Sequence, residues 1–343
     1  YRYFKDDPDT AAIEETVFDR HLVGSASTYP ASVSGYVTDS AAGATALSAG
    51  VKTYNGAIGL DANKKIVETV LEWAKKQGKK TGVVVTSQVN HATPASYLAH
   101  NESRRNYNEI ANSYIDDGIK ADVILGGGWD YFIRDDRNLV DEFKQADFHY
   151  VDNYQALNKL PENKPVLGLF ADSGLSWALD DTNKHRLSAM TKAATKQLEN
   201  DNGYFMLVEA SQVDWAGHSN DIAAAMAEMD DLAKTLEYLE GYVKKHPDTL
   251  VVLTADHGDY IPVIELDNET IDLEASDGQA KMDYIMWKLG HKVPAKLQPL
   301  KGKMRHILRD LRIKSNEKKM NGLNLSPYQK RVLLETRMVG GHR

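Results

Sequence analysis

The chain has 343 residues, 42% hydrophobic and 26% charged, with a formal net charge of -8. That balance suits a globular protein with one large domain, or one domain carrying a sizeable insertion. No apolar run is long enough to span a bilayer, and the absence of cysteine excludes disulfides and thiolate metal sites. Any metal must therefore be held by His, Asp, Glu or hydroxyl oxygens, a donor set suited to zinc and magnesium.

The first residues from Tyr1 are polar and charged, without an apolar leader, and a mature exported chain reads the same way. The first chemical signal is Thr38-Asp39-Ser40-Ala41-Ala42-Gly43-Ala44-Thr45-Ala46. A Ser followed by small, helix-favouring residues predicts a hydroxyl at a helix N-terminus, where N–H groups and the helix dipole favour an anion such as phosphate. A plain helix cap explains the same residues. Lys65–Lys76 sets Val67, Val70, Leu71 and Ala74 on one face and predicts a helix.

Thr81–Thr86 is a short β-branched run that predicts a buried parallel strand. Asn90-His91-Ala92-Thr93-Pro94-Ala95-Ser96 follows it, and Arg104 stands thirteen residues beyond His91. An Arg offers a planar fork that matches two phosphate oxygens. Spacing alone does not choose between that role and an exposed ion pair, for Arg104 or for its neighbour Arg105.

Asp122–Leu125, Tyr204–Val208 and Thr249–Thr254 predict further strands, and Asp221–Lys244 a long helix. Strands alternating with helices predict a doubly wound α/β fold, a mainly parallel central sheet flanked by helices, with ligands beyond the carboxyl ends of the strands. Two polar clusters fall at such ends. Glu209-Ala210-Ser211-Gln212-Val213-Asp214-Trp215-Ala216-Gly217-His218 sets Asp214 and His218 four apart, on one face of a helical turn. A carboxylate and an imidazole so placed can bind zinc, with Glu209 serving a harder ion, although a hydrogen-bonded pair has the same spacing. Thr254-Ala255-Asp256-His257-Gly258 ends the last predicted strand with adjacent Asp and His, a natural metal position.

Beyond Gly258 the pattern changes. Residues 259–337 read as a crown-like or interface insertion on the 1–258 core, and 338–343 as a return to that core. Lys281–Lys319 holds twelve Lys or Arg against Asp283, Asp310 and Glu317. A patch for anionic partners and a solvated helical face both fit it. No nucleic-acid-binding motif accompanies it, so no nucleic-acid partner is expected.

The phrases VTDSAAGATALSAGVKTYNGAIG, VNHATPASYLAH, VEASQVDWAGH and VLTADHG occur in the order and approximate spacing found in alkaline phosphatases. Over roughly residues 1–258 the chain resembles that family, with its bacterial and cold-adapted marine members nearest in character. The resemblance implies hydrolysis of phosphate monoesters to an alcohol and inorganic phosphate through a phosphoserine on Ser40, in a site of two zinc ions and one magnesium. It assigns Asp214 and His218 to one zinc and Asp256, His257 and Ser40 to the other. Thr93 and Glu209 fall to magnesium, His91 beside it, and Arg104 to the phosphate clamp. It also implies a homodimer, periplasmic or secreted, with no membrane span.

Two expected pieces are displaced. The family's Gly-Asp-Gly-like metal segment belongs upstream of Tyr1, and the last zinc ligand is expected in a Gly-His-Thr context that Gly340-Gly341-His342 matches only in part. Other readings are a phosphodiesterase or mutase of the same superfamily, or a non-catalytic phosphate-binding protein with an incomplete metal set.

Overall fold

The computed structural model describes residues 16–258. The expected insertion over 259–337, the basic stretch and His342 lie outside them. Among the described residues, 16–212 with 227–258 form one compact unit, and 213–226 falls to a second. The central sheet belongs to the first.

Five parallel strands form that sheet: β1 (Lys80–Gln88), β2 (Val123–Gly127), β3 (His149–Val151), β4 (Val166–Leu169) and β5 (Tyr204–Glu209), in the order β3-β4-β2-β1-β5. The expected parallel α/β sheet is therefore present. β1 is buried from Thr81 to Gln88, as a parallel strand covered on both faces must be. Its alternate side chains feed two cores. Val83 and Val85 join Ile124, Leu167 and Phe143 on one face, while Val84 joins Leu125, Leu187 and Met190 on the other.

The helices in chain order are α1 (Val17–His21), α2 (Ser40–Ala49), α3 (Val70–Lys76), α4 (Ala92–Leu98), α5 (Tyr107–Asp116), α6 (Trp129–Phe132), α7 (Leu139–Gln145), α8 (Arg186–Leu198), α9 (Ser211–His218) and α10 (Ile222–Lys245). α8 covers the sheet face opposite α4, α5 and α7. Arg186 opens α8 fully buried. It donates from Nη2 to Glu228 (2.8 and 2.9 Å) and from Nη1 to Asp231 (3.2 Å), tying α8 to α10.

The chain passes from β1 to β2 and on to the edge strand β3, steps back to β4 between them, and then crosses to the other side of β1 with β5. Strand order reverses at β1, and the crevice beyond the carboxyl ends at such a reversal is where open α/β sheets bind ligands. His91 and Thr93 follow β1, and Glu209 ends β5 opposite Val85 of β1.

Two expectations are corrected. The helix predicted from Lys65 starts at Val70, because Ile66 bridges Leu60 and Thr69 caps the helix in a capping box with Glu72. The run Thr249–Thr254 is not a strand: it pairs with no described strand, and Leu250 and Val252 are 85% and 74% exposed. β-branched composition favours a strand only where a neighbouring ladder and a packed face receive it.

Candidate active site

Ser40 is the first residue of α2, and Asp39 is its cap, accepting from the Ala42 N–H at 3.0 Å. The capping role thus belongs to its neighbour, and the Ser40 hydroxyl is left for other partners. α2 is built almost wholly of Ala, Gly, Ser and Thr, and it is buried along most of its length. Small side chains let other backbone approach it closely. At Gly43 a Cβ would lie 2.7 Å from the Asp256 carbonyl oxygen, so only glycine admits the 256–257 segment one turn from Ser40.

That approach brings His257 Nε2 to 3.0 Å from Ser40 Oγ, with Asp256 Oδ2 at 3.7 Å from the same imidazole nitrogen. The Asp-His pair thus reaches the Ser40 hydroxyl although its residues form no strand. The Tyr97 phenol on α4 is pushed up to about 12, first by its burial and then by the charges of Glu209 and Asp256. Both carboxylates therefore bear on one place. Glu209 itself accepts from Ser211 Oγ at 2.5 Å.

A polar lock joins the Ser40 helix to the Thr93 helix. Ser48 Oγ donates to the Ser96 carbonyl at 2.6 Å, and Ser96 Oγ donates to the Ala41 carbonyl at 3.4 Å. All of these groups are buried, so α2 and α4 are held by directional bonds as well as by packing.

Arg104 lies in the turn between α4 and α5. Its Nη1 donates to Asp39 Oδ2 at 3.0 Å, and its Nη2 stands 3.4 Å from His91 Nε2. Arg105 faces solvent. Tertiary position thus distinguishes two residues that sequence spacing left equivalent. Asp39 was not singled out in the sequence, although an Asp immediately before a run of helix formers is an N-cap signal.

Asp214 and His218 belong to the 213–226 segment and form a pair on α9, His218 Nε2 to Asp214 Oδ1 at 3.5 Å. They share a helix face, as their spacing predicts. Among the described residues no group of three or more His, Asp or Glu draws together as a metal site. The donor chemistry nevertheless suits one. The Thr93 hydroxyl is buried with no hydrogen-bond partner among the described residues, an arrangement that a cation would relieve. Around the Ser40 hydroxyl stand an imidazole and a carboxylate, ligands that zinc accepts.

The alkaline phosphatase family profile matches residues 1–286. Alkaline phosphatase 4 of Bacillus subtilis is 52% identical over 264 residues, covering 75% of this chain and 57% of its own length. Alkaline phosphatase 3 of the same organism is 50% identical over 263 residues, with the same coverage. The chain thus spans a little over half the length of these relatives. The crystal structure of a cold-active alkaline phosphatase from the psychrophile Shewanella sp. superposes with a TM-score of 0.74 at 43% identity, covering 98% of this chain and 82% of the other. A variant of the alkaline phosphatase from the Antarctic bacterium TAB5, described with Mg in its M3 site, gives 0.58 at 33%, with 64% and 63% covered.

Proposed function

This chain belongs to the alkaline phosphatase family, and we propose that it hydrolyses phosphate monoesters with the Ser40 hydroxyl as nucleophile. The observation that carries the proposal is the Ser40 Oγ at the start of a buried helix, 3.0 Å from His257 Nε2, with Asp39 joining that helix to the Arg104 guanidinium.

The residues divide the work by their chemistry. The first turn of α2 presents N–H groups and the positive end of the helix dipole to the phosphoryl oxygens. Arg104, braced by Asp39 on one side and His91 on the other, offers its fork to two of them. With the phosphoryl group so held, Ser40 Oγ attacks phosphorus in line, the bond to the ester oxygen breaks, and the alcohol leaves with a proton. Water then cleaves the Ser40 phosphoester, releasing inorganic phosphate and restoring the hydroxyl.

The resemblance to the family assigns Asp256, His257 and Ser40 to one zinc, Asp214 and His218 with His342 to a second, and Thr93 and Glu209 to magnesium with His91 beside it. When bound, such ions supply Lewis acidity that lowers the pKa of coordinated hydroxyl groups and neutralises charge on attacking and leaving oxygens. The buried Thr93 hydroxyl, without a hydrogen-bond partner among the described residues, supports the magnesium assignment. An exported homodimer, with 259–337 as an insertion on the core, completes the proposal. A chain without cysteine needs no oxidative folding on export.

The test is hydrolysis of p-nitrophenyl phosphate at alkaline pH with zinc and magnesium supplied. Ser40→Ala is expected to lower kcat by at least about a thousandfold, as removal of a nucleophile does elsewhere. Activity within tenfold of the unmutated protein would sink the proposal.

A further inference from the structure

Beyond the clamp the site continues into aromatic rings that the reaction itself does not use. His91 is followed by Tyr107, nearly parallel at 18° with ring centroids 6.4 Å apart, and Tyr107 by Tyr131 at 5.1 Å. Arg104 Nη2 is 3.4 Å from the His91 ring, so guanidinium, imidazole and two phenols form a continuous series starting at the clamp. Nearby aromatics of the same fold, Tyr114, Phe132 and Phe143, are buried in the core, whereas Tyr107 and Tyr131 are half-buried.

Their backbone is firmly fixed. Asn90, fully buried beyond the end of β1, donates from Nδ2 to the Tyr107 carbonyl at 2.9 Å. One helical stretch on, the Tyr114 hydroxyl donates to the Val89 carbonyl at 2.7 Å, so α5 is pinned to the β1 end at two points. Tyr131 sits on α6, whose entry requires Gly128 at φ +124°, and its carbonyl accepts from Arg134 Nη1 at 2.5 Å. Arg134 also donates to Asn112 of α5 at 2.8 Å and so couples the two helices. Half-exposed rings on so rigid a base are prearranged for contact with a ligand, because little side-chain or backbone freedom remains to be lost.

We propose that Tyr107 and Tyr131 form an aromatic ledge that receives the organic group of the substrate and gives the site a preference for flat, aromatic phosphate esters over small alkyl ones. This rests on the phosphatase reading above. A phosphoryl group held at Arg104 and Ser40 leaves its ester substituent projecting from the clamp, and the ledge is the apolar surface that adjoins the clamp through His91. The two residues are specificity-determining and take no part in bond making or breaking.

The ledge can be tested with phenylphosphonate and methylphosphonate as competitive inhibitors of p-nitrophenyl phosphate hydrolysis, on the unmutated protein, Tyr107→Leu and Tyr131→Leu. Each substitution keeps apolar bulk and removes the ring. The unmutated protein is expected to bind the phenyl compound more tightly. Each variant is expected to lose about three- to tenfold of that preference, the worth of one aromatic contact, with methylphosphonate inhibition unchanged. An unaltered ratio in both variants, or equal weakening of the two inhibitors, overturns the ledge. If one variant fails to fold, the other decides. If the unmutated protein hydrolyses nothing, the phosphatase reading fails separately, and the same ratio measured by calorimetric binding of the two phosphonates still decides the ledge.

Discussion

Asp39 does two things at once. Its Oδ1 caps α2 through Ala42, and its Oδ2 holds Arg104. Asp39→Ala is expected to lower stability by about 1 kcal/mol through loss of the cap, whereas Asp39→Asn keeps a capping oxygen and is expected to change it by only a few tenths. Both should weaken inhibition by inorganic phosphate, because Arg104 loses its carboxylate brace. Urea unfolding and phosphate inhibition separate the effects, and identical behaviour of both variants with the unmutated protein on both counts contradicts the assignment. The residue scale was also where the sequence was most legible. Ser40 was legible as a hydroxyl at a helix start from its own neighbours, whereas the roles of His91 and Thr93 came from the family resemblance. Arg104 was recognisable as a phosphate-binding type, but its advantage over Arg105 depends on Asp39, sixty-five positions away. Tyr107 and Tyr131 could not be paired from sequence, since their contact is made only when α5 and α6 pack.

At the scale of elements, α3 depends on Glu72. Burial favours the neutral acid. Hydrogen bonds from His100 (2.9 Å), Lys120 (2.8 Å) and the Thr69 N–H (2.9 Å) outweigh it and hold the carboxyl at about 2, against an ordinary 4.5. The sign follows from proton linkage. A carboxyl depressed in the folded state stabilises it fully above its unfolded value near 4.5, and that contribution disappears as the pH falls towards 2. At neutral pH it is worth on the order of 3 kcal/mol. Urea unfolding at pH 7 should therefore show Glu72→Gln less stable by a comparable amount, and at pH 3 the gap should narrow. A gap that stays constant with pH contradicts the linkage. The same scale explains what sequence pattern missed. β3 and β4 have three and four residues, too short for a distinctive run, and exist by pairing with each other and with β2. Residues 249–254 carry the right composition without a described neighbour to pair with. Length and composition identified β1, β2 and β5, because each is a longer apolar segment bounded by polar residues.

For the molecule as a whole, the buried Thr93 hydroxyl and the His257–Ser40 contact predict that divalent ions stabilise the protein as well as activate it. Chelation followed by titration with zinc and magnesium should raise the melting temperature in step with the recovery of activity, since a ligand that binds only the folded state stabilises it by mass action. Recovery of activity with no change in melting would argue against a resident metal site. The overall architecture was readable because alternating strands and helices leave few arrangements for a parallel sheet. The sheet order was not, since it depends on which side of β1 the last strand returns to. That return is what brings Glu209 to the β1 end beside the helix carrying Thr93.

The most direct measurement is made on the protein quenched in acid during turnover of a phosphate monoester, then digested and mapped by mass spectrometry. One phosphoryl group on the peptide containing Ser40, absent from Ser40→Ala, is the predicted result. Continued turnover with the phosphoryl group on another side chain and Ser40 unmodified would contradict it.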